Sequence, residues 1–451
     1  MGRLFGTDGV RGWRTGTSRP SSRSAWAWLL RTCWAGRGSP RTPPARGDRP
    51  RPRASGEFLG AAVTAGLASA GVNVLDVGVL PTPAVAFLTS TLDVDFGVMI
   101  SASHNPMADN GIKFLARGGI KLEDSLEDAI ESQLDAAWDR PLGAEVGRVL
   151  ADTGSAGPTT SSTSSRASAP RATRSRSPPA DRGRLRERRR ERRRAAALRA
   201  AGADVVVMNA SPDGRNINEK CGSNHPEQLQ AVVVASEADF GVAFDGDADR
   251  CVAVDHRGVL VDGDQIMGVL ALAERDKGRL HDDTLVVTVM SNLGLILAMR
   301  EAGIRTVQTG VGDRYVLEEM RANGYTLGGE QSGHIILSQF ATTGDGVLTA
   351  LQLAARIQES GTKLADLAGA VPSCRRRCST SGVDKARAAT DEVLQEAVAA
   401  AEEGLGETGR VVLRSSGTEP LVRVMVEAAT QAAADAVAES LAGVVRTRLA
   451  L

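Results

Sequence analysis

The sequence predicts an α/β protein that closes with a small α+β unit, and three observations carry this. Short continuous apolar runs alternate with helical patterns over most of the chain. Several of those runs empty into loops rich in Ser, His, Asp and Gly. Near residue 383 the alternation gives way to one helix, two neighbouring strands and a final helix. The alternation of helices with continuous apolar runs predicts mostly parallel sheet. A length of 451 residues accommodates about two to four domains.

Residues 57–70 (EFLGAAVTAGLASA) read as a helix of small residues, and 72–77 as a short apolar strand. The Pro-bracketed turn LPTP opens a second helix over Ala84–Thr91. FGVMI (96–100) is a buried strand that runs into the polar loop SASHNPMADNG. The rhythm returns with a helix over Pro226–Ser236 and the buried strand FGVAF (240–244), which empties into DGDADR. Strand TLVVTVM (284–290) and helix LGLILAMREAG follow. The Gly-rich loops TLGGEQSGH and ATTGDG then precede a helix over Val347–Glu359. In the closing unit a helix over Asp391–Glu403 leads to strand RVVL, loop RSSGTE, strand LVRVMVE and a last helix. Val437, Leu441, Val444 and Val445 give that helix one buried face. Ligands of open α/β sheets sit outside the carboxyl ends of strands, so converging strand-end loops point to one cleft.

Lys+Arg and Asp+Glu both number 54, but this neutrality is a composite. Three tracts, 13–55, 155–194 and 373–378, hold 26 Arg against 4 acids, which leaves the remaining chain acidic. Residues 155–194 carry eight Ser and thirteen Arg, with Leu185 the one large apolar residue; that composition cannot bury enough surface to order itself. No aromatic interleaving accompanies the later Arg runs, so nucleic acid is not an expected partner. Outside the tracts, Cys221 and Cys251 form no CxxC pair. A reducing, cytoplasmic compartment is therefore expected, without a zinc ribbon or disulfide framework. The N-terminus has no apolar signal region and no run of about 18 apolar residues occurs, so no membrane partner is expected.

Asp245, Asp247 and Asp249 alternate directly after a buried strand. Carboxylates this close repel unless a hard cation neutralises them, which points to Mg²⁺ or Ca²⁺; the plainer alternative is a solvated polar turn. An EF-hand fails, because its sixth position is Arg250 and its twelfth His256. Ser103 lies beside His104 and Asn105 with Lys113 downstream, as a nucleophile, a phosphate carrier or a simple cap. The absence of GxSxG and of GxxxxGK[ST] argues against an acyl-transfer hydrolase and a P-loop ATPase. Arg414-Ser415-Ser416-Gly417-Thr418, followed by Arg423, combines fork donors, hydroxyls and a Gly-permitted turn, the ingredients of a phosphate site or of a plain hairpin. Glu330, Ser332 and His334 share a Gly-rich loop whose groups can bond sugar hydroxyls.

Taken in order, FGTDGVRG (5–12), ISASHNPMADNGIKF (100–114), DGDADR (245–250), GGEQSGH (328–334) and RSSGTEPLVRVMVE (414–427) resemble the signature set of the α-D-phosphohexomutase family. The resemblance covers residues 1–12, 53–152, 198–371 and 383–445. It implies three related α/β domains with mixed sheets and a smaller C-terminal α+β domain around one cleft, divided at 1–152, 153–254, 255–371 and 372–451. It implies that Ser103 carries the phosphoryl group as phosphoserine, and that Asp245, Asp247 and Asp249 bind one Mg²⁺ with the phosphorylated Ser103 as fourth ligand. Arg11, Lys113, Arg250 and His334 match proton-transfer and charge-stabilising positions. Glu330 and Ser332 match sugar contacts, and Arg414, Ser416, Gly417, Thr418 and Arg423 match the grip on the non-reacting phosphate. FGTDGVRG and GEQSGH are most similar to the branch that interconverts glucosamine 6-phosphate and glucosamine 1-phosphate through a 1,6-bisphosphate, for amino-sugar nucleotide and cell-wall precursors. Phosphomannomutase and phosphoglucomutase are the neighbouring branches. The expected partner is a hexosamine phosphate, and a homodimer is compatible with the family.

The basic tracts fall where the family carries structure. Residues 13–52 stand in place of a first helix and a GRDTR-like loop, of which only Arg53-Ala54-Ser55-Gly56-Glu57-Phe58 survives. Residues 155–194 replace the strand that opens the second domain, and 373–378 (SCRRRC) replace a connecting strand. A reading-frame slip in a GC-rich gene accounts for all three while the flanks keep the family pattern. A partly unfolded, inactive product is therefore the competing expectation.

Overall fold

The computed structural model describes residues 5–6, 9–11, 52–133, 136, 139–151, 192–382, 387–415 and 421–449. Residues 12–51 and 152–191, most of the two long basic tracts, lie outside the described residues, and so do Ser416, Gly417 and Thr418.

Strands β1 (Phe5–Gly6), β2 (Gly9–Arg11), β4 (Phe96–Ile100) and β5 (Gly111–Ala116) form a sheet in the order β1-β2-β5-β4. Strand β6 (Ile120–Lys121) pairs with β5, while β3 (Val74–Asp76) pairs with β7 (Val149–Ala151) separately. A second sheet has the order β10-β9-β8, built from β8 (Phe240–Phe244), β9 (Cys251–Asp255) and β10 (Leu260–Val261). The third contains β11 (Thr284–Thr288), β12 (Arg305–Thr309), β13 (Leu327–Gly329) and β14 (Ile335–Leu337) in the order β12-β11-β13-β14. The last is β15-β17-β16, from β15 (Arg375–Gly382), β16 (Arg410–Ser415) and β17 (Leu421–Ala428).

The expectation of mostly parallel sheet is corrected. Among the described residues only β3–β7, β11–β12 and β11–β13 run parallel. The reason is loop length. Residues 101–110 and the six-residue DGDADR are too short for the crossover of roughly a dozen or more residues that parallel neighbours need. Each therefore returns as an antiparallel partner, β4 with β5 and β8 with β9. Their apolar runs are mostly half-buried, and such runs do not fix strand direction.

The largest core surrounds helix Gly263–Asp276, which buries Ile266, Met267, Val269 and Leu270 against Leu285, Val287, Leu295, Leu327 and Ile335. Each such side chain contributes roughly 1.5–3 kcal/mol on burial. The helix begins where Asp262 accepts a hydrogen bond from Gln265 N at 3.1 Å. Helix Gly346–Ser360 starts similarly, with the Asp345 carboxylate accepting from Val347 N and Leu348 N. That cap fixes the ATTGDG loop against the second sheet through Gly346 N donating to Ala248 O. No helix of the described residues is long and apolar enough to cross a membrane.

SCRRRC does not interrupt the last sheet. Arg375–Gly382 pairs with β17 residue for residue, because the ladder is made by backbone groups that any non-proline residue supplies. Arg376 is accommodated by a carboxylate. Glu427, wholly buried, accepts from Arg376 Nε at 2.9 Å and from Arg410 Nε at 2.6 Å. It also accepts from Leu293 N at 3.0 Å, while Arg376 reaches Met290 O and Gln331 Oε1, and Arg410 reaches Ser291 O. This buried ionic row docks the last sheet onto the third.

Candidate active site

The Ser103 loop leaves β4 and returns as β5. Ser103 is buried at 1% exposure and has φ +51°, in the left-handed region that non-glycine residues seldom occupy. Its N–H donates to Ser101 Oγ at 3.0 Å, and its Oγ donates to Asp245 Oδ2. The hydroxyl is thus aimed at the loop that joins β8 to β9.

Asp245, Asp247 and Asp249 all project from that loop, each buried, with carboxylate oxygens within 4.8 Å of one another. Lys113, on β5, donates to Asp247 Oδ2 at 3.0 Å and Asp249 Oδ2 at 3.4 Å. Thr82, at the start of the helix Thr82–Thr91, donates to Asp247 Oδ2 at 2.8 Å, and its N–H reaches Asp247 O. Burial, and then the charges of Asp249 and Asp247, push the Asp245 carboxyl well above the usual range. Burial acts the same way on Asp247, but the Lys113 charge and the hydrogen bonds from Asp245, Thr82 and Lys113 together outweigh it and hold this group well below. Lys113 is itself held above its ordinary value, since Asp247 and Asp249 outweigh the burial that would lower it. One ammonium against three carboxylates leaves the cluster short of positive charge. Asp247 Oδ1 and Asp249 Oδ1 are buried without a hydrogen-bond partner. Orphaned carboxylate oxygens beside a serine hydroxyl are a hard-oxygen donor set that fits a small divalent cation.

His334, 3% exposed, faces the same cluster, with Nδ1 3.7 Å from Asp249 and Nε2 3.9 Å from Asp313. Its Nε2 accepts from Gly344 N at 3.1 Å, which puts the neutral ring's proton on Nδ1, the side toward Asp249. Glu330 accepts from Gly312 N at 3.0 Å and from Ser332 Oγ at 3.2 Å. The GGEQSGH loop is thus tied to the start of the preceding helix, Asp313–Asn323. Burial would raise Asp313, but nearby cations, Lys121 first, together hold it low, and Lys121 reaches it at 3.1 Å across the boundary between the first and third sheets.

Among the residues singled out in the sequence, the structure therefore brings together Ser103, Lys113, Asp245, Asp247, Asp249 and His334. Arg250 joins them through its backbone, donating to Asp245 Oδ1 at 3.2 Å. Glu330 and Ser332 lie on the same hairpin as His334. Arg11 pairs with Gly111, two residues before Lys113 on β5. Arg414 and Arg423 lie directly opposite each other on β16 and β17, and Ser416, Gly417 and Thr418 fall outside the described residues. The sequence reading missed Thr82, Asp313, Lys121 and Asn218, and named Arg53 only as the start of what survives of a GRDTR-like loop. LPTP reads as a helix start, which it is; nothing in it signals that the threonine contacts an acid 165 positions away.

Four family models match the chain, all described as phosphoglucomutase/phosphomannomutase: alpha/beta/alpha domain I over residues 51–140, domain II over 194–258, domain III over 262–374, and the C-terminal domain over 377–444. The chain belongs to this family, the α-D-phosphohexomutases. A phosphoglucosamine mutase of Paenarthrobacter aurescens (strain TC1) is 54% identical over 477 residues, covering 100% of this chain and 98% of that protein. One from Bifidobacterium longum subsp. infantis is 55% identical over 408 residues, 88% of each. A solved phosphoglucomutase/phosphomannomutase family protein from Burkholderia thailandensis superposes with a TM-score of 0.77 at 22% identity, over 99% of this chain and 97% of that one. Aspergillus fumigatus N-acetylphosphoglucosamine mutase in complex with GlcNAc-6P and magnesium gives 0.60 at 18% identity, over 95% and 99%. At those identities the structural likeness establishes the fold alone. The family sets the reaction class: this mutase is an isomerase acting by phosphate transfer.

Proposed function

We propose that this mutase interconverts glucosamine 6-phosphate and glucosamine 1-phosphate, with Ser103 as phosphoryl carrier and Asp245, Asp247 and Asp249 as the holders of Mg²⁺. The observation that carries the reading is the Ser103 hydroxyl, bonded into a buried acid triad whose Oδ1 atoms on Asp247 and Asp249 lack partners. Mg²⁺, when bound, draws charge off the transferring phosphoryl group. The Ser103 Oγ–P bond breaks as the sugar hydroxyl oxygen bonds the phosphorus, giving a 1,6-bisphosphate, and the proton lost by that hydroxyl is balanced by the one the released Ser103 oxygen takes up. That intermediate turns over in the cleft and returns its other phosphate to Ser103. Lys113 stays charged beside the reacting oxygens, His334 presents its Nδ1–H, and Arg11 and Arg250 complete the charge-stabilising set. Arg414 and Arg423, with Ser416, Gly417 and Thr418, hold the non-reacting phosphate, so binding energy spent there orients the distant hydroxyl. Glu330, by charge, favours a 2-ammonium group, and Ser332 supplies a hydroxyl to the sugar.

Peptide mapping after incubation with a hexose 1,6-bisphosphate should find one phosphate, on Ser103, and Ser103→Ala should be inactive. Full activity in Ser103→Ala would end the reading. Higher kcat/KM for glucosamine 6-phosphate than for glucose or mannose 6-phosphate is expected; a mannose phosphate in first place would move the assignment to the neighbouring branch.

A further inference from the structure

We propose that Arg53 and Asn218 are positioning residues for phosphoryl transfer, holding the Ser103 backbone in its left-handed conformation from two different domains. The inference rests on Ser103 as the phosphoryl carrier. Arg53 is 3% exposed and spends its guanidinium on one loop. Nη1 donates to Pro106 O at 2.6 Å and Asp109 O at 2.8 Å, and Nη2 to Ser103 O at 3.1 Å and Asn105 O at 2.7 Å. Asn218, which follows the second basic tract, donates through Nδ2 to Ser103 O and Asn105 O, both at 2.9 Å. The carbonyls of Ser103 and Asn105 thus each take one donor from either side of that tract. The two donors are coupled, because Ala54 N donates to Gly214 O at 2.7 Å, four residues before Asn218.

The metal loop closes on the same carbonyl. A Cβ added to Gly246 would lie 2.7 Å from Ser103 O, so that oxygen is enclosed by Arg53, Asn218 and the DGDADR backbone together. A non-glycine residue at φ +51° is strained and persists only where its surroundings over-determine it. Here the surroundings are these donors. None of them touches Oγ, which remains available to carry and release the phosphoryl group while its backbone stays in place. The planar fork matters as much as the charge: two pairs of parallel N–H groups span four carbonyls, which the point charge of a lysine cannot do.

The test uses the full chain and follows the rate at which Ser103 takes phosphate from a hexose 1,6-bisphosphate, together with kcat and KM. Arg53→Met should slow Ser103 loading and kcat by about 100-fold, the scale of a misplacement near 1 Å. KM for the sugar phosphate should change little, because the phosphate grip and sugar loop are untouched. Arg53→Lys should fall close to Arg53→Met, and millimolar guanidinium should restore part of the Arg53→Met rate. Asn218→Ala removes one donor from each shared carbonyl while leaving the guanidinium, so it keeps the test open if Arg53→Met does not fold; its loading should slow by about 10-fold. Wild-type loading in a folded Arg53→Met or Asn218→Ala protein would overturn the inference, as would a change confined to KM. Failure of the carrier reading is distinguishable, since wild type would then show no phosphate on Ser103 at all.

Discussion

The proposed metal end and the proposed phosphate end of this mutase are organised by different means. At the metal end, Ser103, Lys113, the three aspartates and His334 come from separate segments and meet as buried groups that bond one another. At the phosphate end, Arg414 and Arg423 are neighbours because β16 and β17 pair in that register, and Arg423 is exposed. Thr380 lies on the other side of Arg423, which puts a hydroxyl in the same row. Four residues along β17 the same sheet face carries Arg376, Glu427 and Arg410, and there the row is buried against the third sheet. Like charges directly opposite each other on a sheet are unfavourable, and a phosphate dianion between them reverses the sign. One end is thus preorganised by burial and internal charge pairing, the other by strand register that sets two cations side by side. Mutations at the first should therefore act on chemistry, and at the second on binding.

The largest expected effect is at the metal end. Asp247→Asn removes a ligand charge and the main partner of Lys113, so kcat/KM should fall by about 1,000-fold or more. EDTA should abolish wild-type activity and Mg²⁺ restore it; activity unchanged in chelator would break the comparison at its root. Next comes the docking row. Glu427→Ala leaves Arg376 and Arg410 without their buried carboxylate and should cost about 3–5 kcal/mol in urea unfolding, against which a surface substitution such as Glu396→Ala serves as control. A loss below about 1 kcal/mol would mean that the row does not dock the sheets.

Arg423→Ala should raise KM for the sugar phosphate by about 10- to 100-fold with kcat changed only a few-fold, the worth of a charge-assisted hydrogen bond. Equal falls in kcat and kcat/KM would show that this end, too, acts in the transition state. The smallest effect concerns Asp264, whose carboxyl burial, and then the Asp262 charge, raise to about 7. It accepts from Asn292 N at 2.7 Å, beside the docking row. An acid raised on folding contributes stability at low pH that is lost as pH rises through its folded value. Relative to Asp264→Asn, which cannot ionise, the wild type should lose stability between about pH 4 and pH 7 and run parallel to it above that. Chemical denaturation across this range measures the difference, and parallel curves throughout would exclude a raised Asp264.

Much of the fold was legible locally. FGVAF is a strand at 240–244, and the helices expected near 57–70, 226–236 and 347–359 stand at Ser55–Ser69, Glu227–Ala235 and Gly346–Ser360. The acid triad was legible because three carboxylates after a buried strand have few other uses. Arg53 and Arg376 were the opposite case. Both sit in tracts whose composition looks foreign, and both end with their guanidinium groups paired to acceptors far away in the chain.

Period, turn residues and clustered charge acted through neighbours a few positions apart, and the sequence alone determined what depends on them: the α/β alternation, the strand-end loops, and Ser103, Asp245, Asp247 and Asp249 as candidates. Tertiary structure decided the left-handed Ser103 with its Arg53 and Asn218 donors, the tautomer of His334, and which acid each cation faces. Those outcomes depend on groups 10 to 192 positions apart, whose energies exist only once burial has removed the water that would otherwise satisfy each group separately.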